Sequence, residues 1–564
     1  MSPPGGLGSR PTSRERLEAS GRDPFDALVV GGGITGAGIA LDATSRGLRV
    51  ALVERFDFAS GTSSKSSKLV HGGLRYLEQR DFVLVREASV ERGLLNRLAP
   101  HLVEPIPFVI PVADRWRRAK FGVGMWVYDA LASFRNTSTH SYIDPGSVGD
   151  LVPALRRDGG DSGGLRGGYV YYDSKTDDVR LVVEVLVQAV RLGATVCNYA
   201  AVRNLESSET GCRALIEDTI DGSVTEVAAR RVVVAGGVWN DRIETLSNHA
   251  ATPRLRPSKG IHLVLRREDV PLGGAACFIP DAERERMLFL IPWHDVVVVG
   301  TTDTDYAGDL DRPRVTSEER SYFLDALNEN LDLSLSESDV VSAWAGLRPL
   351  VRAKKGTTVD LSRSHAVYEF APGVVGITGG KLTTYRRMAS DAVDRIAPYF
   401  DRAGRSRTRW IKLGCGDVAA LTSAVARRAE HLGVAPGSAA HLVRCYGDRA
   451  LAVLDVAAES GLTEPLGDGC LPIRAEALYC ARSEMAVQLS DLLARRTRLA
   501  LTTSGAGLQS DALGLLSAEL GWSPAEAERQ ALAFRTEVEL ERGIPLPQEV
   551  SARDGLGRTA GTEL

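Results

Sequence analysis

Cysteine is scarce and unpaired in pattern: seven residues scattered from Cys197 to Cys480 in a chain of 564, with no C-x-x-C spacing. That arrangement excludes a disulfide framework and a thiolate metal site, and suits reduced thiols in a cytosolic protein. Charge of one sign is also lacking. A net charge of −4 leaves no basic excess that would make nucleic acid a partner. No apolar run approaches the ~20 residues of a membrane-crossing helix. The opening stretch, MSPPGGLGSRPTSRERLEASGRD, lacks the apolar centre of a secretory signal and reads as a flexible tail. Internal repeats are absent.

What is present is a hydrophobic share of 44% beside 25% charged residues, the balance of a folded globular protein. The length calls for more than one core. The run DALVV (Asp26 to Val30) reads as a buried parallel strand, Gly31 to Gly36 as a tight turn, and ITGAGIALDATSRG as a helix ending at Gly47. RVALVE follows as a second strand and closes a βαβ unit. Apolar runs return at VVVAGG (Val232 to Gly237), DVVVVG (Asp295 to Gly300) and GVVGITGG (Gly373 to Gly380), so the cofactor domain is expected to be assembled from distant pieces with a second domain inserted between them. Past residue 400, Ala, Leu, Glu and Arg recur at helical spacing in ALTSAVARRAEHLG and MAVQLSDLLARR. The expected layout is a disordered tail over 1–22, a cofactor domain with interleaved substrate segments over 23–400, a helical domain over 401–545 and a disordered tail over 546–564.

Gly31, Gly33 and Gly36 satisfy G-x-G-x-x-G between a strand and a helix, the context in which the pattern carries information. The glycines allow close approach of a pyrophosphate, which then sits on free helix N-terminal amides. Glu54 ends the second strand at the expected distance, where its carboxylate accepts from an adenosine ribose. NAD and FAD share this fingerprint. Two further segments favour FAD. SGTSSKSSKLVHGG (Ser60 to Gly73) offers hydroxyls and amides for a longer cofactor, although a surface serine loop would look the same. GITGGKLTTYRRMA (Gly376 to Ala389) reads as a strand, a glycine turn and a second helix start, whose positive end suits an anionic reduced flavin.

The segments VVGGGITGAGIALDATSRGLRVALVE, TSSKSSKLVHGGLRYLE, YYDSKTDDVRLV, IPWHDVVVVGTTDTDY, WAGLRPL and GGKLTTYRRMA together resemble the FAD-dependent glycerol-3-phosphate dehydrogenase family, within the D-amino-acid-oxidase-like flavoproteins. The resemblance implies an α/β fold: an FAD-binding Rossmann-like domain, an inserted antiparallel-sheet substrate domain and an α-helical C-terminal domain. It also implies a cofactor contact set. This comprises Gly31, Gly32, Gly33, Ile34, Thr35 and Gly36 in the turn, with Glu54 and Arg55 after the second strand. The hydroxyl-rich loop adds Thr62, Ser63, Ser64, Ser67, Lys68, Leu69, His71, Gly72 and Gly73. Val202, Ala235, Gly236 and Trp239 follow, then Gly380, Lys381, Leu382 and Thr383. VVVAGGVWND departs from the family, whose members typically carry Thr-Gly-Pro-Trp there, so one hydroxyl is missing.

In this family the substrate is sn-glycerol 3-phosphate, oxidised to dihydroxyacetone phosphate. The chemistry asks for cations on the phosphate and a base for the C2 hydroxyl proton. Arg75, Arg348 and Lys381 are the candidate cations, with Arg348 the expected principal anchor because its planar fork matches phosphate oxygens. His71 and His262 are rival bases, since imidazole titrates near ~6.5 and a neighbouring arginine lowers it further. Tyr76 and Tyr385 are either hydrogen-bond partners or packing residues. TTDTDY (Thr301 to Tyr306) reads as a capped turn and no metal is expected. The family's usual electron acceptor is membrane quinone. DRWRRAKFGVGMWVYDALASF (Asp114 to Phe134) sets basic residues beside aromatic ones, as an interfacial segment on anionic lipid does, and as a core helix with a basic start also does. The expectation is a cytoplasmic protein docked on the inner face of the plasma membrane, with a homodimer left open. An oxidase using oxygen and a non-catalytic flavin-binding scaffold are the alternatives.

Overall fold

The structure is a computed structural model, and it describes residues 5–74, 81–131, 138–157, 164–247, 253–281, 286–351, 365–503 and 509–543. The strand Phe25–Val30 is buried along its whole length because it lies between two parallel neighbours, Val50–Val53 and the end of Val224–Val234. A strand covered on both faces needs an unbroken apolar run, and DALVV supplies one. Val374–Gly379 continues the parallel sheet beyond Val224–Val234, and Thr195–Cys197 continues it beyond Val50–Val53. His365–Ala371 closes the first of these edges antiparallel. The helix Ile34–Ser45 packs on this sheet with Asp178–Arg191 and Tyr385–Ile396. Gly38 marks the tightest contact, since a Cβ there would lie 2.7 Å from the Tyr385 ring. Tyr385 is therefore a packing residue.

The second sheet is mainly antiparallel. Its longest pairing joins Val103–Val112 to Gly167–Thr176, and Ser258–Arg266 is flanked by Val296–Gly300 and Val340–Arg348. One parallel pair, between Ala276–Asp281 and Val103–Val112, interrupts the pattern. DVVVVG, expected in the cofactor sheet, belongs here instead. An apolar run with both faces buried reads the same in either sheet, which is why sequence misplaced it.

Two further expectations are corrected. Residues expected as part of a disordered tail form the helix Arg10–Glu18, capped by Ser9. Leu7 and Leu17 are buried, Arg10 and Arg14 pair with Asp218, and the Leu7 amide donates to the Ser483 carbonyl at 2.7 Å. Composition could not reveal partners more than two hundred residues away. The tail expected over 546–564 lies outside the described residues. In the helical C-terminal domain, MAVQLSDLLARR is not one helix: Met485 takes a left-handed φ of 54°, and a π-helical turn covers Asp491–Arg496.

Candidate active site

Both sheets contribute to one cavity of about 1570 Å³. At its base Gly31 has a φ of 114°, and a Cβ there would sit 2.5 Å from the Ala235 carbonyl oxygen; a Cβ on Gly36 would come within 1.8 Å of the Gly31 oxygen. Only glycine permits this turn, and the turn lets backbone meet a pyrophosphate closely. The Gly32 amide donates to Glu54 Oε2 at 2.6 Å and the Phe56 amide to Oε1 at 3.0 Å. Burial pushes the Glu54 carboxyl up, against those two amides. Ser63 Oγ accepts from the Ile34 amide at 2.9 Å and so fastens the hydroxyl-rich loop to the helix start. Above Glu54, the Arg55 guanidinium lies 4.7 Å from the Trp239 ring centroid, and Asp311 takes hydrogen bonds from both side chains.

Distant motifs converge at the other end. Thr383 Oγ1 accepts from the His71 amide at 3.1 Å, joining LVHGG to GGKLTT across 312 residues. Thr62 Oγ1 donates to the Leu347 carbonyl at 2.7 Å, joining the serine loop to WAGLRPL. Asp173 Oδ1 accepts from the Gly72 amide at 3.1 Å. The His262 ring stacks on Trp344 at 4.8 Å, and its Nε2 lies 2.8 Å from Ser67 Oγ. Burial first, then Arg348 and Lys68, lower His262 well below the ordinary imidazole range, so the ring is neutral. Arg348 faces the cavity while its NH2 donates to Thr301 Oγ1 at 3.0 Å and to the Thr302 carbonyl at 3.1 Å; Asp303 accepts from NH1 at 3.4 Å.

Of the expected residues, Gly31, Gly33, Ile34, Thr35, Glu54, Arg55, Thr62, Ser63, Ser67, Leu69, His71 and Gly73 line the cavity. So do Val202, Ala235, Gly236, Trp239, His262, Arg348, Gly380, Lys381, Leu382 and Thr383. The rest do not. Gly32 and Gly36 act from behind the turn, and Gly72 is pressed against Tyr128 and Ser89, where a Cβ would come within 2.2 Å of the tyrosine oxygen. Ser64 is buried with its hydroxyl on the Gly61 carbonyl. Lys68, expected on the cofactor, points away into the protein. Its Nζ is fully buried on Asp178 at 2.8 Å and on the Ser64 carbonyl at 2.7 Å, and burial lowers it to about 8 with Arg498 adding to the effect and Asp178 opposing it. Its left-handed φ of 58° turns the side chain inward, a backbone fact that spacing does not carry. Arg75 and Tyr76 lie outside the described residues.

TTDTDY also differs from its reading as a capped turn. Thr301, Thr302 and Asp303 hold Arg348, and Asp303 in turn accepts from Ser258 Oγ. These residues, with Asp173, Asp178 and Asp311, went unrecognised because each acts through a partner from another segment. Among the described residues no His, Cys, Asp and Glu cluster could hold a metal ion.

A dinucleotide fits this cradle. The glycines leave no room for side chains where the pyrophosphate would approach, and Gly380, with φ 80°, repeats the device at the second helix start, where a Cβ would lie 2.3 Å from Met388 Sδ. Comparison with known proteins is consistent with that geometry. Residues 26–386 match the FAD dependent oxidoreductase family, and residues 406–527 match the C-terminal domain of alpha-glycerophosphate oxidase. A glycerol-3-phosphate dehydrogenase from Mycobacterium leprae is 38% identical over 544 residues, covering 95% of this chain and 92% of the relative. The glycerol-3-phosphate dehydrogenase of Bacillus halodurans, solved complexed with FAD, superposes with a TM-score of 0.79 at 29% identity over 96% of this chain and 99% of that one. An L-alpha-glycerophosphate oxidase from Mycoplasma pneumoniae shares the fold, with a TM-score of 0.54 at 17% identity over 66% of this chain and 94% of its own.

Proposed function

Given that the chain belongs to the FAD-dependent glycerol-3-phosphate dehydrogenase family, we propose that it oxidises sn-glycerol 3-phosphate to dihydroxyacetone phosphate and delivers the electrons to a quinone at a membrane surface. The observation that carries the substrate reading is Arg348: a guanidinium lining the cavity and fixed by Thr301, Thr302 and Asp303 beside a neutral His262. A pre-oriented fork of this kind binds phosphate oxygens bidentately without first being ordered. Bound FAD supplies the hydride acceptor for the C2 hydrogen. Lys381, at the second helix start, adds positive charge on the same wall.

The C2 hydroxyl proton goes to His71 in this reading. An effective base titrates near the working pH, and His262 is held far below it, with Nε2 already engaged by Ser67. His262 then orients the substrate. The acid limb of the kcat/KM profile is expected to vanish in His71→Asn and to persist in His262→Asn. Persistence in both variants would transfer the role elsewhere.

The quinone reading is supported by the shape of the cavity toward the helix Arg115–Leu131. Phe121, Met125, Phe278 and Phe289 make an apolar wall there, with Arg117 and Lys120 also on the lining. On the outer face Trp116, Val123 and Trp126 are 75%, 68% and 63% exposed. Aromatic and basic residues together suit the interface of an anionic bilayer. Turnover with glycerol 3-phosphate is expected to reduce ubiquinone or menaquinone in anionic vesicles with little peroxide. Stoichiometric peroxide without quinone reduction would make the protein an oxidase.

A further inference from the structure

Two buried carboxylates beneath the cofactor-side loops, Asp57 and Asp178, take charged hydrogen bonds from the C-terminal domain. Asp57 follows the Glu54 to Phe56 bend and is 1% exposed. Its oxygens accept from Arg496 NH1 at 2.7 Å and NH2 at 2.9 Å, and from Arg495 Nε at 2.7 Å. Asn198 adds one neutral donor at 3.1 Å. The same bend supports the glycine turn, since the Ala59 amide donates to the Gly32 carbonyl.

Asp178 does for the second loop what Asp57 does for the first. It accepts from Ser66 Oγ at 2.7 Å and from Lys68 Nζ at 2.8 Å, the two neighbours of Ser67, and from Arg498 NH2 at 3.1 Å. Ser67 is the residue that reaches His262. Lys65 of this loop also pairs with Glu541 of the helix Pro524–Arg542.

The three arginines come from one short stretch of the helical domain, the π-helical turn Asp491–Arg496 and the left-handed Arg498 after it. None of the three lines the cavity. Irregular turns of this type commonly mark functional positions, and here the irregularity turns successive arginines toward two separate loops. We propose that Arg495, Arg496 and Arg498 are positioning residues for FAD, so that the C-terminal domain sets the geometry of the cofactor cradle from beneath. Arg495 and Arg496 fix Asp57, Arg498 reaches Asp178 through NH2 and Asp177 through Nε, and the loops so held carry Glu54 on one side and Ser67 on the other. The inference rests on FAD binding alone and is independent of the substrate and the acceptor.

The test uses the full-length holoenzyme. Arg496→Lys and Arg498→Lys keep the charge and lose the fork, so FAD release on dilution, followed by flavin fluorescence, is expected to be about tenfold faster in each. Arg482→Ala removes an ion pair to Glu519 within the C-terminal domain and is expected to lower the thermal midpoint while leaving FAD release unchanged. Release within twofold of the parent in folded Lys variants, or equal acceleration in Arg482→Ala, overturns the proposal. Should the Lys variants not fold, hydrogen exchange on the parent protein decides. Coupling is reciprocal, so FAD must protect the amides of residues 491–498 although the cavity does not reach them, and unchanged exchange there refutes the inference.

Discussion

Arg348 shows how a single side chain is prepared for an anion. Its donors are shared among Thr301, Thr302 and Asp303, which aims the guanidinium along the cavity wall. Lysine would keep the charge and lose the fork. Arg348→Lys is therefore expected to raise KM for glycerol 3-phosphate by about 10- to 100-fold, the range of a lost charged hydrogen bond, with a smaller change in kcat under steady-state assay. An unchanged KM would remove Arg348 from the phosphate. At this scale the placement of Arg348, His262 and His71 on the cavity wall was legible from the motif segments that carry them. Their supports were not. Asp303 lies 45 positions before Arg348, and an acidic threonine-rich run looks locally complete as a turn.

Among elements, the glycine turn carries the sharpest steric demand. A Cβ on Gly36 would overlap the Gly31 carbonyl, whereas a Cβ on Gly93, within the helix Phe82–Leu98, meets nothing within 4 Å. Gly36→Ala is expected to purify with FAD content reduced about tenfold or more, read from flavin absorbance, since the backbone must shift where the pyrophosphate approaches. Gly93→Ala should instead keep its flavin and gain about 0.5–1 kcal/mol in thermal unfolding. The βαβ unit was readable because period, turn and cap all agree there. DVVVVG was assigned to the wrong sheet, since burial on both faces erases the alternation that would have placed it. The segment after Met485 was misread as helix for the opposite reason: its composition is helical, and buried ion pairs overrode it.

For the molecule as a whole, buried histidines set the response to acid. Burial lowers His101 to about 4 and His294 to about 3, the latter with His441 and Arg444 adding to it, and it holds His262 well below the ordinary imidazole range. In each case the unfolded chain binds a proton at a higher pH than the folded one. The stability these groups contribute is thus complete above about pH 6.5 and falls by roughly 1.4 kcal/mol per pH unit per histidine below it. His441 runs the other way. Although burial opposes the charge, Cys445 and Glu476 raise it to about 10, so its contribution is full below about pH 6.5 and is lost as pH rises toward 10. The thermal midpoint should peak near neutrality and drop clearly between pH 7 and pH 5 in differential scanning calorimetry. A flat profile over that interval would mean that these rings are hydrated in solution.

The interleaving of the two sheets also orders events during synthesis. A ribosome that has just released Val53 has made the glycine turn and Glu54's neighbouring strand, but Val224–Val234, the other parallel partner of Phe25–Val30, and Val374–Gly379 beyond it do not yet exist. The arginines that neutralise Asp57 and Asp178 emerge later still. Because domains form as their segments leave the tunnel, Asp178 can pair early with Lys68, whereas Asp57 waits for Arg495 and Arg496 until almost the whole chain is out. The support beneath the Glu54 bend is thus complete only once the C-terminal domain has been made.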